Sequence, residues 1–216
     1  VDALRLNPDA VVWNRTAEDR RGRPLLVLVH GFGGHEHDFE PFIPQLPDEY
    51  AVASVRAPLS HNQGWAWYPG DPRASGTTFS AVANAAADAL LDWVRGQSGH
   101  PAVDLLGFSQ GGSVAVHALR RDPAAIRAVV SLAGFRAPGR QAGDAQLRAR
   151  AHAAFFGHGA LDDVIPAADA ERLESWLRTH TALESHRYPG LDHWMSEEQL
   201  ADVSAFLARV LRSDVL

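Results

Sequence analysis

Gly107-Phe108-Ser109-Gln110-Gly111-Gly112 sits between the apolar run Val103-Asp104-Leu105-Leu106 and the segment Ser113-Val114-Ala115-Val116-His117-Ala118-Leu119. The first run has strand character. In the second, Val114, Ala115, Ala118 and Leu119 recur at helical spacing. Gly-x-Ser-x-Gly between a strand and a helix is the pattern of a nucleophile elbow, a tight turn that lifts Ser109 above the strand end. Glycines two residues to either side carry no Cβ to clash where strand and helix meet. A helix starting at Gln110 aims its free N–H groups and positive dipole end at the same point. The same letters also occur in plain glycine-rich turns, so the rest of the chain must supply the context.

Working outward, strands and helices alternate. Leu25-Leu26-Val27-Leu28-Val29 is an unbroken apolar run ending at His30-Gly31, which suits a parallel strand buried on both faces. A helical segment interrupted by Pro41 and Pro44 is expected from about Asp38 to Leu46, then a strand at Ala51-Val52-Ala53-Ser54-Val55. Phe79, Val82, Ala83, Ala86, Leu90 and Val94 make an apolar helical stripe. After the elbow, strands are expected at 126–132, at 153–157 and ending at Tyr188. A helix from about Pro166 carries Ala170, Leu173, Trp176 and Leu177. The last helix carries Leu200, Val203, Leu207 and Val210, with Ser196 and Gln199 spaced as a capping box. This alternation predicts a mostly parallel sheet with helices on both faces, in one α/β domain over residues 1–216. Two stretches read as long loops, 56–77 and 134–150, the second too short and polar for a helical lid.

Composition narrows the function classes. The chain has 216 residues, 46% of them apolar, enough for a substantial core. A net charge of −6 argues against nucleic acid or an anionic membrane as partner. Every basic residue is Arg, which removes lysine Schiff-base and lysine-base mechanisms. The absence of Cys removes disulfides, thiolate nucleophiles and cysteine metal sites. No run is long and apolar enough to span a membrane, and Val1-Asp2-Ala3-Leu4-Arg5 lacks a signal peptide's hydrophobic core. A cytoplasmic protein is expected, although the chain starts at Val and removal of an upstream signal stays open. Oligomeric state is also open, a homodimer included.

A nucleophilic serine needs a base, a carboxylate to orient it, and donors for the oxyanion. Downstream of Ser109 lies Gly157-His158-Gly159-Ala160-Leu161-Asp162-Asp163-Val164-Ile165-Pro166, then Pro189-Gly190-Leu191-Asp192-His193-Trp194. Both follow strands, so carboxylate and histidine fall at the sheet edge where open α/β sheets place their sites, in the order Ser, Asp, His. Asp192 is a poor orienter for its neighbour His193, because adjacent side chains diverge. Upstream, His30-Gly31-Phe32-Gly33-Gly34 follows the first buried strand. The Phe32 and Gln110 N–H groups are the expected oxyanion donors.

With these residues in place, the chain resembles α/β-hydrolases of the phospholipase/carboxylesterase group, which includes acyl-protein thioesterases. The resemblance rests on His30-Gly31-Phe32-Gly33-Gly34 with Glu36 and Asp38, Arg56-Ala57-Pro58-Leu59, Trp65, Gly107 to Gly112, His158-Gly159-Ala160-Leu161-Asp162 with Ile165-Pro166, and Gly190-Leu191-Asp192-His193. It implies carboxylic-ester hydrolysis of a small-molecule substrate, no cofactor, no large cap domain, and Ser109, Asp162 and His193 as the triad. The family pattern His-Gly-x-x-Asp puts the carboxylate at 162, leaving Asp163 to face solvent or cap the helix near Pro166.

Other residues have blander readings. His35 and His37 lack further ligands, so no metal site is expected. His30 and His158 are expected to brace the active-site loops by hydrogen bonds, and His117 to be structural. Trp65, Trp67 and Tyr68 are expected to form a substrate wall in a loop over the site. The same machinery acting on longer acyl chains would make a thioesterase or lysophospholipase. A non-catalytic binding protein is the reading from another class, which a complete triad disfavours.

Overall fold

A computed structural model describes residues 3–70 and 78–213. Its centre is a seven-stranded sheet. In chain order the elements are β1 (Val11–Trp13), β2 (Leu25–Val29), β3 (Ala51–Val55), β4 (Leu59–His61), β5 (Gly64–Ala66), α1 (Phe79–Arg95), β6 (Val103–Phe108), α2 (Gln110–Arg121), β7 (Ala128–Leu132), α3 (Asp144–Arg150), β8 (Ala153–Gly159), α4 (Ala167–His180), β9 (Ala182–Tyr188) and α5 (Glu197–Ser213). The strand order is β1-β3-β2-β6-β7-β8-β9. All neighbours are parallel except β1, which pairs antiparallel with β3 at the edge.

Both faces of the sheet are covered, so β2 is apolar at every position, and β3, β6 and β7 are apolar or glycine apart from the buried Ser54, Asp104 and Ser131. In β2 the alternation of side chains sends Leu25, Val27 and Val29 to one layer with α1, α2 and α4. Leu26 and Leu28 join Phe39, Val203, Phe206 and Leu207 on the other, under α5. Chain order reverses between β2 and β6, which lie side by side with Val29 opposite Gly107. A crevice at such a switch point is where open α/β sheets bind ligands.

Several expectations need correction. The 38–46 segment is a 3-10 helix over Glu40–Gln45, because Pro44 removes the donor an α-helix would need. The 56–77 loop contains the β4–β5 hairpin in its described part, and residues 71–77 lie outside the described residues. The 134–150 loop ends in α3. That short helix forms because Leu147 is fully buried and Arg120 clamps Asp144, Nε to Oδ1 and Nη2 to Oδ2 at 3.0 Å each. The capping box at α5 is half made. The Gln199 N–H donates to Ser196 Oγ at 3.2 Å, but Gln199 Oε1 is buried without a partner among the described residues.

His117, on the buried face of α2, is structural as expected. Burial, reinforced by the Arg120 charge, pushes its pKa down to about 3, so it lies in the core as a neutral ring. No large cap domain interrupts the described residues. No described helix is long and apolar enough to cross a membrane.

Candidate active site

β6 delivers Ser109 to the sheet edge and α2 begins directly after it. Ser109 has φ 54° and ψ −117°, a left-handed conformation unusual for a residue with a side chain. The turn holds because its neighbours have no Cβ. A Cβ on Gly107 would lie 2.2 Å from the Gly111 oxygen, and one on Gly111 would lie 1.9 Å from the Val29 oxygen. The Ser109 N–H is fixed to the Leu132 carbonyl at 2.8 Å, which ties the elbow to β7.

The loops after β8 and β9 bring Asp162 and His193 to this serine. His193 Nε2 lies 3.0 Å from Ser109 Oγ, and Nδ1 lies 2.8 Å from Asp162 Oδ2. The other oxygen, Oδ1, accepts the Val164 and Ile165 N–H groups at 2.9 Å each. The Asp162 side chain is fully buried. Burial alone would raise its pKa. Hydrogen bonds from His193 and the Ile165 and Val164 amides outweigh burial and hold the carboxyl below its usual range. An ionised carboxylate therefore faces one ring nitrogen and a hydroxyl faces the other.

Asp163 is exposed, and no carboxylate hydrogen bond of its own is found among the described residues. Of the two roles expected for it, the solvent-facing one holds. Pro166 takes the N-cap position of α4 without a side-chain cap, and Asp162 instead binds the amides ahead of it.

The Phe32 and Gln110 N–H groups have no acceptor among the described residues. Both residues line the cleft that also contains Ser109. The His30 brace is present. Its Nδ1–H donates to the Gly31 carbonyl at 2.7 Å and Nε2 accepts the Ala57 N–H at 3.1 Å. His158 differs from expectation, since its Nε2 stays 3.8 Å from Asp162 Oδ2 and its ring stacks on Phe156. Burial holds it below the usual histidine range, so it supports the loop as a packed neutral ring.

The cleft has a volume of about 1140 Å³ and is walled chiefly by Phe32, Tyr68, Phe79, Phe135, Val164 and Ile165. Of the aromatic trio expected to line it, only Tyr68 does. Trp67 is fully buried, because its indole N–H reaches the His30 carbonyl at 2.9 Å and anchors the ring in the core. Trp65 pairs through its backbone with Gly33 and Gly34, at 2.8 Å in both directions, and its ring lies under Arg56. Arg56 in turn grips the buried Glu36, Nε to Oε2 at 2.7 Å. The two tryptophans thus fix the Phe32 loop in place rather than face the cleft.

One contribution escaped the sequence reading. The Gln110 side chain accepts the Trp67 N–H at 2.8 Å and donates to the Tyr68 carbonyl at 2.9 Å. It locks the aromatic segment beside the elbow. Its place directly after the serine was the available signal, since a side-chain amide there can both donate and accept.

Comparison with known proteins gives the family and the fold. A family model described as Phospholipase/Carboxylesterase matches residues 14–211. A pimeloyl-[acyl-carrier protein] methyl ester esterase of Neisseria meningitidis is 33% identical over 125 residues, which cover 56% of this chain and 35% of that protein. The chain thus spans less than half the length of the curated relatives it matches. The carboxylesterase of Bacillus cereus superposes with a TM-score of 0.77 at 18% identity, covering 93% of each chain. Acyl-protein thioesterase 2 of Zea mays superposes with a TM-score of 0.73 at 18% identity, covering 93% of this chain and 98% of that one. At such identities these structures establish the fold.

Proposed function

The chain belongs to the phospholipase/carboxylesterase family of α/β-hydrolases, and from that premise we propose that it is a serine carboxylesterase with Ser109, His193 and Asp162 as its triad. The observation that carries the reading is the unbroken relay Ser109 Oγ, His193 and Asp162, with contacts of 3.0 and 2.8 Å.

His193 Nε2 takes the Ser109 proton as Oγ attacks the ester carbonyl carbon. The C=O bond becomes a single bond, and its oxygen carries the negative charge. The Phe32 and Gln110 N–H groups receive that oxyanion, and the positive end of α2 adds to its stabilisation. Asp162 holds His193 with Nδ1 protonated and Nε2 free, and balances the imidazolium that forms. His193 then returns its proton to the departing alcohol as the carbonyl re-forms, leaving an acyl group on Ser109. Water repeats the sequence: His193 removes its proton, its oxygen attacks the acyl carbon, and Ser109 leaves with the proton restored. The carboxylic acid is released. The apolar cleft supports an acyl chain lying along Phe79, Phe135 and Ile165.

The test is a panel of p-nitrophenyl esters from acetate to decanoate, with acyl thioesters of matching length. Turnover of the esters is expected. Folded protein that cleaves no ester in the series overturns the reading, and thioesters cleaved with esters left intact would make the chain a thioesterase.

A further inference from the structure

We propose that Arg136 selects anionic substrates, taking the free carboxylate of an ester whose reacting carbonyl sits at Ser109. The inference rests on the esterase reading above and names its substrate class.

Arg136 follows β7 and lies on the wall of the cleft that holds Ser109. Its Nη1 is used locally, donating to the Ala137 carbonyl at 3.2 Å. Its Nε is buried, and no acceptor for it exists among the described residues. Nη2 likewise has no partner there. These two nitrogens form one edge of the guanidinium, the edge that holds a carboxylate with two parallel hydrogen bonds. Arg56, Arg120, Arg121 and Arg127 all use this edge, on Glu36, Asp144, Asp88 and Asp104 respectively. Among the described residues Arg136 holds no carboxylate on this edge, and taking one on both nitrogens requires the enclosed Nε to turn toward the cleft.

Nearby acids do not supply one. Both oxygens of Asp144 are held by Arg120, and the Gln141 N–H adds to Oδ2 at 2.9 Å. Asp169, also on the cleft wall, is paired with Arg172. Among the described residues the charged groups lining the cleft are Arg136 and Arg172 against Asp169. A buried donor without a partner costs free energy, and a guanidinium in that position costs more. Burial and the like charge of Arg120 already disfavour the charged form of Arg136. A substrate carboxylate offsets both terms. The planar two-point match favours carboxylate over a merely polar group. The surrounding aromatic and aliphatic walls fit a hydrocarbon spacer between the two ends of the substrate.

The carboxylate can belong to the acyl or the alcohol half, and substrate pairs separate the two. p-Nitrophenyl hydrogen adipate is compared with p-nitrophenyl hexanoate, and 4-butyryloxybenzoate with phenyl butyrate. In Arg136→Gln, the charged-to-neutral ratio of kcat/KM is expected to fall about tenfold or more for one pair, identifying the half that carries the charge. Arg136→Lys keeps the charge but not the fork and should recover only part of the ratio. Ratios unchanged in both pairs overturn the proposal, while neutral turnover by the parent protein keeps the esterase reading intact. Calorimetric binding of adipate to Ser109→Ala protein reads the contact without turnover. Binding is expected to be lost when Arg136→Gln is added, and adipate affinity unaffected by that change refutes the assignment even if no ester is cleaved. Thermal melts of each variant verify that the fold is retained.

Discussion

Ser109→Ala and His193→Ala should each lower ester turnover by on the order of 10⁵–10⁶-fold, and the double variant should be little worse than either alone. Nucleophile and base act as a unit, so removing one leaves the other nothing to do. A 10⁶-fold loss corresponds to about 8 kcal/mol of transition-state stabilisation at 1.36 kcal/mol per tenfold. The Phe32 and Gln110 N–H groups remain in both variants, so a residual rate above water is expected from them and from binding. Neither change should disturb the fold. The Ser109 hydroxyl is a small group at the sheet edge, and His193 lies in a surface loop whose ring rests on Phe108 at 5.1 Å between centroids. Steady-state rates on p-nitrophenyl butyrate, alongside circular dichroism, check this. Losses that multiply in the double variant would mean that the two residues act independently.

Asp162→Asn should lower kcat by as much as about 10⁴-fold, whereas Asp163→Asn should leave it within about twofold. Asparagine keeps an oxygen for the Val164 and Ile165 N–H groups, which now reach Asp162 Oδ1 at 2.9 Å. The loop geometry should survive. At the other atom an NH₂ group replaces the acceptor Oδ2 that faces His193 Nδ1 at 2.8 Å. A donor there favours the tautomer with Nδ1 bare and Nε2 protonated, which cannot accept the Ser109 proton. The charge that stabilises the imidazolium is also gone. Asp163 is exposed, so its charge is screened by water. The comparison is a measurement of kcat for both variants on one ester, and the opposite ranking would assign the carboxylate to Asp163.

Much of the fold was legible because buried parallel strands leave no freedom in their composition. Leu25–Val29 can be apolar at every position, and Ala51–Val55 at every position but Ser54, only when both faces are covered. The α1 stripe was legible for the opposite reason, since one side of that helix faces water. The elements that escaped are those whose formation depends on a distant partner. β1 is three residues long and exists because Val11–Trp13 pairs with Val55–Ala53. The β4–β5 hairpin contains Asn62 at φ 52° and is tied to the Phe32 loop through Trp65 and Gly34. α3 is anchored by Leu147 and by the Arg120–Asp144 pair, which no local pattern announces.

The site divides in the same way. Ser109, Asp162 and His193 were singled out by their order and by their positions after strands, and the topology brings the three side chains into contact. The aromatic segment misled because a ring that walls a cleft and a ring that fills a core have the same composition. What separates them is the polar handle: the Trp67 indole N–H meets the His30 carbonyl inside the protein, and Gln110 pins the backbone on either side of the peptide after it. The cleft walls at Phe135 and Arg136 lay in a segment read as a polar loop, where single residues carry no periodic signal.

The central claim is that Ser109 becomes a covalent nucleophile through His193. The most direct measurement is mass spectrometry of the intact protein and its peptides after treatment with a fluorophosphonate probe. One label per chain is expected, on the peptide containing Ser109, with labelling abolished by Ser109→Ala and slowed by several orders of magnitude in His193→Ala. Folded protein that takes no label, or takes it on another residue at an undiminished rate when Ser109 is replaced, would contradict the account.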